Sequence, residues 1–182
     1  MREILVAGIG NIFKGDDAFG VEVARRLAQS QLPAGVKVVD FGIRGIDLTY
    51  ALLDGYDAAI LVDTAQRGAA PGTLSIVAPE RQSTAEVSPG EIFLEPHDLD
   101  PAKVLRVVET LGGGCQRILL VACEPETFGD EETGAMGLSP PVAAAVDEAV
   151  KAVERLVGDL LREQRSLTDH ELSNGGQLWT DG

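Results

Sequence analysis

The chain has 182 residues, enough for one domain with a substantial core, and 45% of them are hydrophobic, which excludes a disordered polymer. Its net charge of −14 argues against nucleic acid, whose phosphates require clustered Lys and Arg, and against an anionic membrane surface, so neither is an expected partner. The same charge suits plain solubility, or a cationic ligand such as a metal ion or a basic peptide.

Short apolar runs alternate with helical patterns from the N-terminus onward. Glu3 to Ile9 (EILVAGI) reads as a buried strand, and Phe19 to Gln31 carries apolar residues at helical spacing, ended by Pro33. Val36 to Asp40 is a second strand, Ile46 to Leu53 a short helix, and Ala58 to Val62 (AAILV) a third strand. Gly72 to Val77 (GTLSIV) is a fourth strand, with Pro71 and Gly72 as the turn signal before it. It follows the third with little room for a crossover helix, so an antiparallel edge position is expected. Asp100 to Leu111 reads as a helix running into Gly112, Gly113 and Gly114. Arg117 to Ala122 (RILLVA) is the fifth strand, and Ser139 to Arg162 is a long helix with Ser139 as candidate cap and Pro140 in its first turn.

This order, with strands that are apolar on both faces, implies an α/β fold around a mostly parallel sheet of about five strands, covered on both sides. Residues 1–165 form the single expected domain, and residues 166–182, polar and Gly-rich, are expected to be a flexible tail. The opening segment lacks the features of a signal peptide, and no stretch reaches the roughly 20 apolar residues of a membrane span, so a cytoplasmic protein is expected. Of the two cysteines, Cys115 and Cys123, neither suggests a disulfide framework, and Cys123 at the end of an apolar run reads as a small buried hydrophobe.

In an open α/β sheet, ligands bind beyond the carboxyl ends of the strands. The polar residues due there are Asp16 and Asp17 after the first strand, Asp40 after the second, Asp63 after the third, and Glu124 and Glu126 after the fifth. Gly8-Ile9-Gly10 invites a dinucleotide site, but Phe13 stands where a third glycine is due, and two aspartates precede the helix that would receive the phosphates. Asp16 reads equally as a helix cap or as a chemical group. Because one cap suffices, Asp17 is left to point elsewhere, and two close carboxylates favour a nearby cation. Asp63, at the end of a buried strand, reads as a ligand or as a turn residue. Of the two histidines, His170 falls in the expected tail. His97, in a loop before a helix, is either a surface residue or the imidazole of a mixed nitrogen and oxygen site for zinc, nickel or a similar ion.

The segment from Gly8 to Gly20 resembles the G-x-G-N-x-x-x-x-D-D/E-x-x-G opening of the NiFe-hydrogenase maturation proteases. Leu61-Val62-Asp63-Thr64-Ala65 is similar to their central-strand aspartate segment, Pro71 to Ile76 (PGTLSI) to their P-G-T or P-G-E turn, and Pro96-His97 to their histidine segment. Glu124-Pro125-Glu126 and Gly137-Leu138-Ser139-Pro140 resemble their late E-P and G-L-S/T-P pair. The resemblance spans residues 3 to about 160. It implies a three-layer α/β/α sandwich, phosphorylase/hydrolase-like, and an endopeptidase that removes a C-terminal extension from the hydrogenase large-subunit precursor after nickel insertion. It also implies that Asp17, Asp63 and His97 are catalytic and metal-reading residues, with Asp16 at the neighbouring acidic position. The nickel is then carried by the substrate, with zinc or cadmium able to occupy the same ligands. The expected partner is the precursor, and the expected state a monomer or weak dimer.

Two departures stand out. Phe41-Gly42-Ile43-Arg44-Gly45 replaces the family's Gly-Gly-Thr/Ser loop and puts the cation Arg44 near the cleft, where it can alter which substrate is read; Ala18 stands where glycine is common. The chain has neither a G-x-S-x-G nor an H-E-x-x-H motif, and Cys123 has no evident partner histidine. The alternative reading is a nickel-binding scaffold or carrier without peptidase activity; a metal-dependent hydrolase of a small molecule has less support.

Overall fold

The computed structural model describes residues 3–78, 108, 111–113, 115, 117–130 and 134–174, with side chains described as far as residue 163. Five strands form one sheet: β1 (Ile4–Ile9), β2 (Val36–Gly42), β3 (Ala58–Thr64), β4 (Leu74–Val77) and β5 (Arg117–Cys123). Their order is β2-β1-β3-β5-β4. β1 pairs in parallel with β2 and β3, and β3 in parallel with β5. β4 is antiparallel to β5 at the edge, as its short connection to β3 requires. The chain reverses through Ala70 to Thr73, where the Thr73 N–H donates to Ala70 O at 3.0 Å.

Alternate strand residues feed two apolar layers, as the pleat dictates. Ile4, Val6, Ile60, Val62 and Val121 pack with Phe19, Val23 and Leu27 of α1 (Phe19–Leu27) and with Val142, Val146 and Val153 of α3 (Pro140–Asn174). Leu5, Ala7, Ile9, Ala59 and Leu61 pack with Leu48 and Leu52 of α2 (Gly45–Leu53) and with Val108. The result is the expected three-layer α/β/α arrangement. The central strands β1 and β3 are buried along almost their whole length, which is why their sequences are continuously apolar.

Two helices differ in extent from the sequence reading. α1 ends at Leu27 instead of Gln31, because the Ser30 N–H and hydroxyl both donate to Leu27 O and tighten the chain into a turn. α3 does not stop at Arg162 but continues to Asn174. Residues 166–174, expected in the tail, are therefore helical: the segment is polar but holds no Gly or Pro before Gly175. Residues 175–182 lie outside the described residues, as does most of the expected helix from Asp100, of which Val108 is helical and buried. Among the described residues, no helix is long and apolar enough to cross a membrane.

Candidate active site

β1 leaves the sheet at Ile9 and the chain folds back across the carboxyl ends of β1 and β3. Two glycines make that return possible. Gly10 has φ 133°, and a Cβ there would lie 1.7 Å from Asp17 O; a Cβ on Gly20 would lie 2.0 Å from Val62 O. The backbone can therefore lie directly on the strand ends. It forms a single 3₁₀ turn, Gly15–Ala18, that leads into α1. Neither Asp16 nor Asp17 caps a helix start here, since no side-chain cap hydrogen bond is made at the turn or at α1. The capping alternative for Asp16 at α1 is thus corrected by the geometry. The turn begins one residue before it, and its side chain faces away from the α1 amides.

The two adjacent carboxylates diverge. Asp17, half-buried, accepts the Asn11 N–H at 2.8 Å on Oδ2 and faces the Thr64 hydroxyl at 3.4 Å on Oδ1. Asp63, buried in the last turn of the pleat of β3, accepts the Thr64 N–H at 2.7 Å on Oδ1. Thr64 therefore touches both aspartates, the first through its hydroxyl and the second through its amide. Asp63 lies inside β3, opposite Ala122 of β5, instead of just beyond the strand. The structure thus brings Asp17 and Asp63 together at the carboxyl edge of the central strands, where the sheet topology puts a ligand. His97 lies outside the described residues.

Asp16 has no exposed surface and is held by amides from elsewhere in the chain. Its Oδ2 accepts the N–H of Glu126 at 2.8 Å, the N–H of Thr127 at 2.9 Å and the Ser139 hydroxyl at 2.9 Å; its Oδ1 accepts the Ser139 N–H at 2.7 Å. Burial pushes its carboxyl up, but these donors outweigh that effect and hold it below the usual aspartate value. Backbone pairs reinforce the contact: Gly15 N–H to Ala135 O at 2.8 Å, Asp16 N–H to Thr127 O at 3.0 Å, and Ala135 N–H to Phe13 O at 3.0 Å. Ser139 is the residue before α3, and its carbonyl accepts the Ala143 N–H at 2.8 Å. Pro141, at the second helical position, has no N–H to offer a capping serine, and the Ser139 hydroxyl donates to Asp16.

The other strand-end acids do different work. Glu124 accepts the N–H groups of Arg67 at 2.8 Å and Gly68 at 3.2 Å, and the Arg67 amide foremost holds its carboxyl below the ordinary glutamate value. Asp40 pairs with Arg25 at 3.7 Å. Arg44 is tied back to its own loop: Nε donates to Phe41 O at 3.1 Å, Nη1 to Asp47 at 3.4 Å, and Nη2 to Asp40 O. Cys123 is fully buried, and burial with the charges of Asp16 and Glu124 pushes its thiol up to about 11, so it stays protonated and inert. Among the described residues, no group of three or more His, Cys, Asp and Glu could hold a metal ion, so Asp17 and Asp63 supply at most part of such a site. Their oxygen donors fit a divalent cation that brings or finds further ligands. The sequence reading gave Asn11 and Thr64 no role of their own at the site, and it read Ser139 as a helix cap, whereas its hydroxyl donates to Asp16.

The model of the hydrogenase maturation protease family matches residues 21–156. The hydrogenase 2 maturation protease of Escherichia coli is 31% identical over 152 residues, covering 82% of this chain and 87% of that protein. A putative hydrogenase maturation protease of Methanocaldococcus jannaschii is 29% identical over 160 residues, covering 87% of this chain and 97% of that one. Among solved structures, the hydrogenase maturating endopeptidase HybD of E. coli aligns with a TM-score of 0.70 at 31% identity, over 87% of this chain and 93% of the other.

Proposed function

The chain belongs to the hydrogenase maturation protease family and is an endopeptidase; from that we propose that it removes the C-terminal extension of a NiFe-hydrogenase large-subunit precursor once nickel is inserted, reading the metal through Asp17, Asp63 and His97. The observation that carries this reading is the pairing of Asp17 and Asp63 across Thr64 at the ends of β1 and β3.

The nickel is part of the substrate. In this reading a precursor that lacks it offers the two carboxylates no cation, and their mutual repulsion then disfavours docking. Asp17 presents Oδ1, opposite the oxygen that the Asn11 amide holds, so the carboxylate is oriented before substrate arrives. Asp63 is oriented by the Thr64 amide in the same way. His97 would complete a mixed nitrogen and oxygen ligand set. A macromolecular substrate also suits the surroundings: Phe13, Phe128 and Met136 are exposed on the two segments that the clasp around Asp16 joins.

The test is the intact mass of candidate large-subunit precursors, incubated with the enzyme with and without nickel. Shortening is expected only for loaded precursor, and Asp17→Ala, Asp63→Ala and His97→Ala should abolish it. Full activity in all three variants removes the metal-reading role, and an unshortened precursor with nickel bound favours a carrier.

A further inference from the structure

We infer that Asp16 is a positioning residue that holds the Asp17 carboxylate in place by locking the Gly15–Ala18 turn to the loop after β5 and to the start of α3; this rests on the reading of Asp17 above. Three observations carry it. The Asp16 carboxylate accepts four hydrogen bonds, from Glu126, Thr127 and Ser139, none of which belongs to its own turn. It is fully buried, so it cannot touch substrate. Asp17 is its immediate neighbour in a turn of four residues, so any rotation of the turn that relaxes Asp16 displaces Asp17.

The arrangement answers a mechanical need. Gly10, ahead of the turn, and Gly15, its first residue, both have positive φ. Left to local propensity, such a segment samples several conformations. A buried carboxylate facing preorganised amides restricts that freedom, because rotating it away would break four part-buried hydrogen bonds at once. Four donors also neutralise much of the charge of Asp16, so it can stand beside Asp17 without a cation of its own. The β5 loop and α3 thereby act on the active-site edge without contributing a group to it.

The Asn11 amide reports the position of Asp17 without metal or substrate, since its N–H is held by Asp17 Oδ2. The experiment measures hydrogen exchange of the Asn11 amide relative to the β1 amides in the full chain, for Asp16→Asn, Ser139→Ala and a control, Val146→Ala, which loosens the buried face of α3. For Asp16→Asn the Asn11 ratio is expected to rise about tenfold, as for loss of a hydrogen bond to a charged acceptor. The kcat for loaded precursor should fall about ten- to hundredfold with KM little changed. Ser139→Ala should move both in the same direction by less, and Val146→Ala should leave the ratio unchanged. An unchanged ratio in both site variants overturns the inference, as does a raised ratio with unaltered kcat, or a loss confined to KM. If Asp16→Asn does not fold, Ser139→Ala decides alone. A wild-type chain that cleaves no precursor defeats the proposed function, while the exchange ratios still decide whether Asp16 holds Asp17.

Discussion

The nest around Asp16 and the ledge that carries Asp17 and Asp63 meet at two consecutive residues, Asp16 and Asp17, yet they use a carboxylate in opposite ways. In the nest every oxygen is consumed by amides and a hydroxyl, and water is excluded. On the ledge, Asp17 is half-buried and accepts one short hydrogen bond, from Asn11, and a long one from Thr64. A saturated carboxylate stabilises a fold; one with capacity left over can take a cation. The contrast teaches that adjacency in sequence does not imply a shared role. The 3₁₀ turn sends successive side chains toward different neighbours.

Asparagine at each position gives the sharpest way to break this comparison. Asp17→Asn keeps an acceptor for the Asn11 amide but loses the charge, so cleavage should drop by at least about a hundredfold while stability stays within about 1 kcal/mol. Asp16→Asn should do the reverse in stability: an amide facing part-buried donors costs about 2 kcal/mol, read as a lowered urea midpoint at unchanged slope. Equal stability losses in the two variants would erase the distinction between nest and ledge.

A smaller effect is expected at Glu124, which holds the loop after β3 as Asp16 holds the loop after β5. Its folded carboxyl lies below the ordinary glutamate value because of the Arg67 amide first, so its contribution is whole above that ordinary value. As the pH falls below about 5 the unfolded chain takes up the proton first, and the contribution shrinks until the folded carboxyl also titrates. Glu124→Gln should therefore flatten part of the acid limb of the stability profile in chemical denaturation. Cleavage at neutral pH should change little. The smallest effect belongs to Cys123, which touches the same region but does no chemistry. Cys123→Ala should retain cleavage and lose about 1 kcal/mol, and the native thiol should resist alkylation.

Much was legible in the linear chain because the signals were strong and local. Continuous apolar runs such as Ile4–Ile9 and Ala58–Thr64 identified buried parallel strands, and the short link to Leu74–Val77 identified an antiparallel edge. The same topology put Asp17 and Asp63 at one edge before any distance was known. The ends of helices were read less well. The polarity of the segment from Ser166 reads as a tail, whereas helix continuation depends on backbone propensity, and a polar segment without Gly or Pro keeps it.

Sequence by itself determined the layers, the strand polarity and the acidic character of the site edge, since periodicity and residue type act over a few neighbours. Only the tertiary structure decided which aspartate faces inward. The donors that fix Asp16 come from Glu126, Thr127 and Ser139, more than 100 residues away in the chain, and no local pattern at Asp16-Asp17 encodes them. A hydrogen bond constrains a side chain at 3 Å whatever the sequence separation, so the identity of a donor is a property of the folded packing alone.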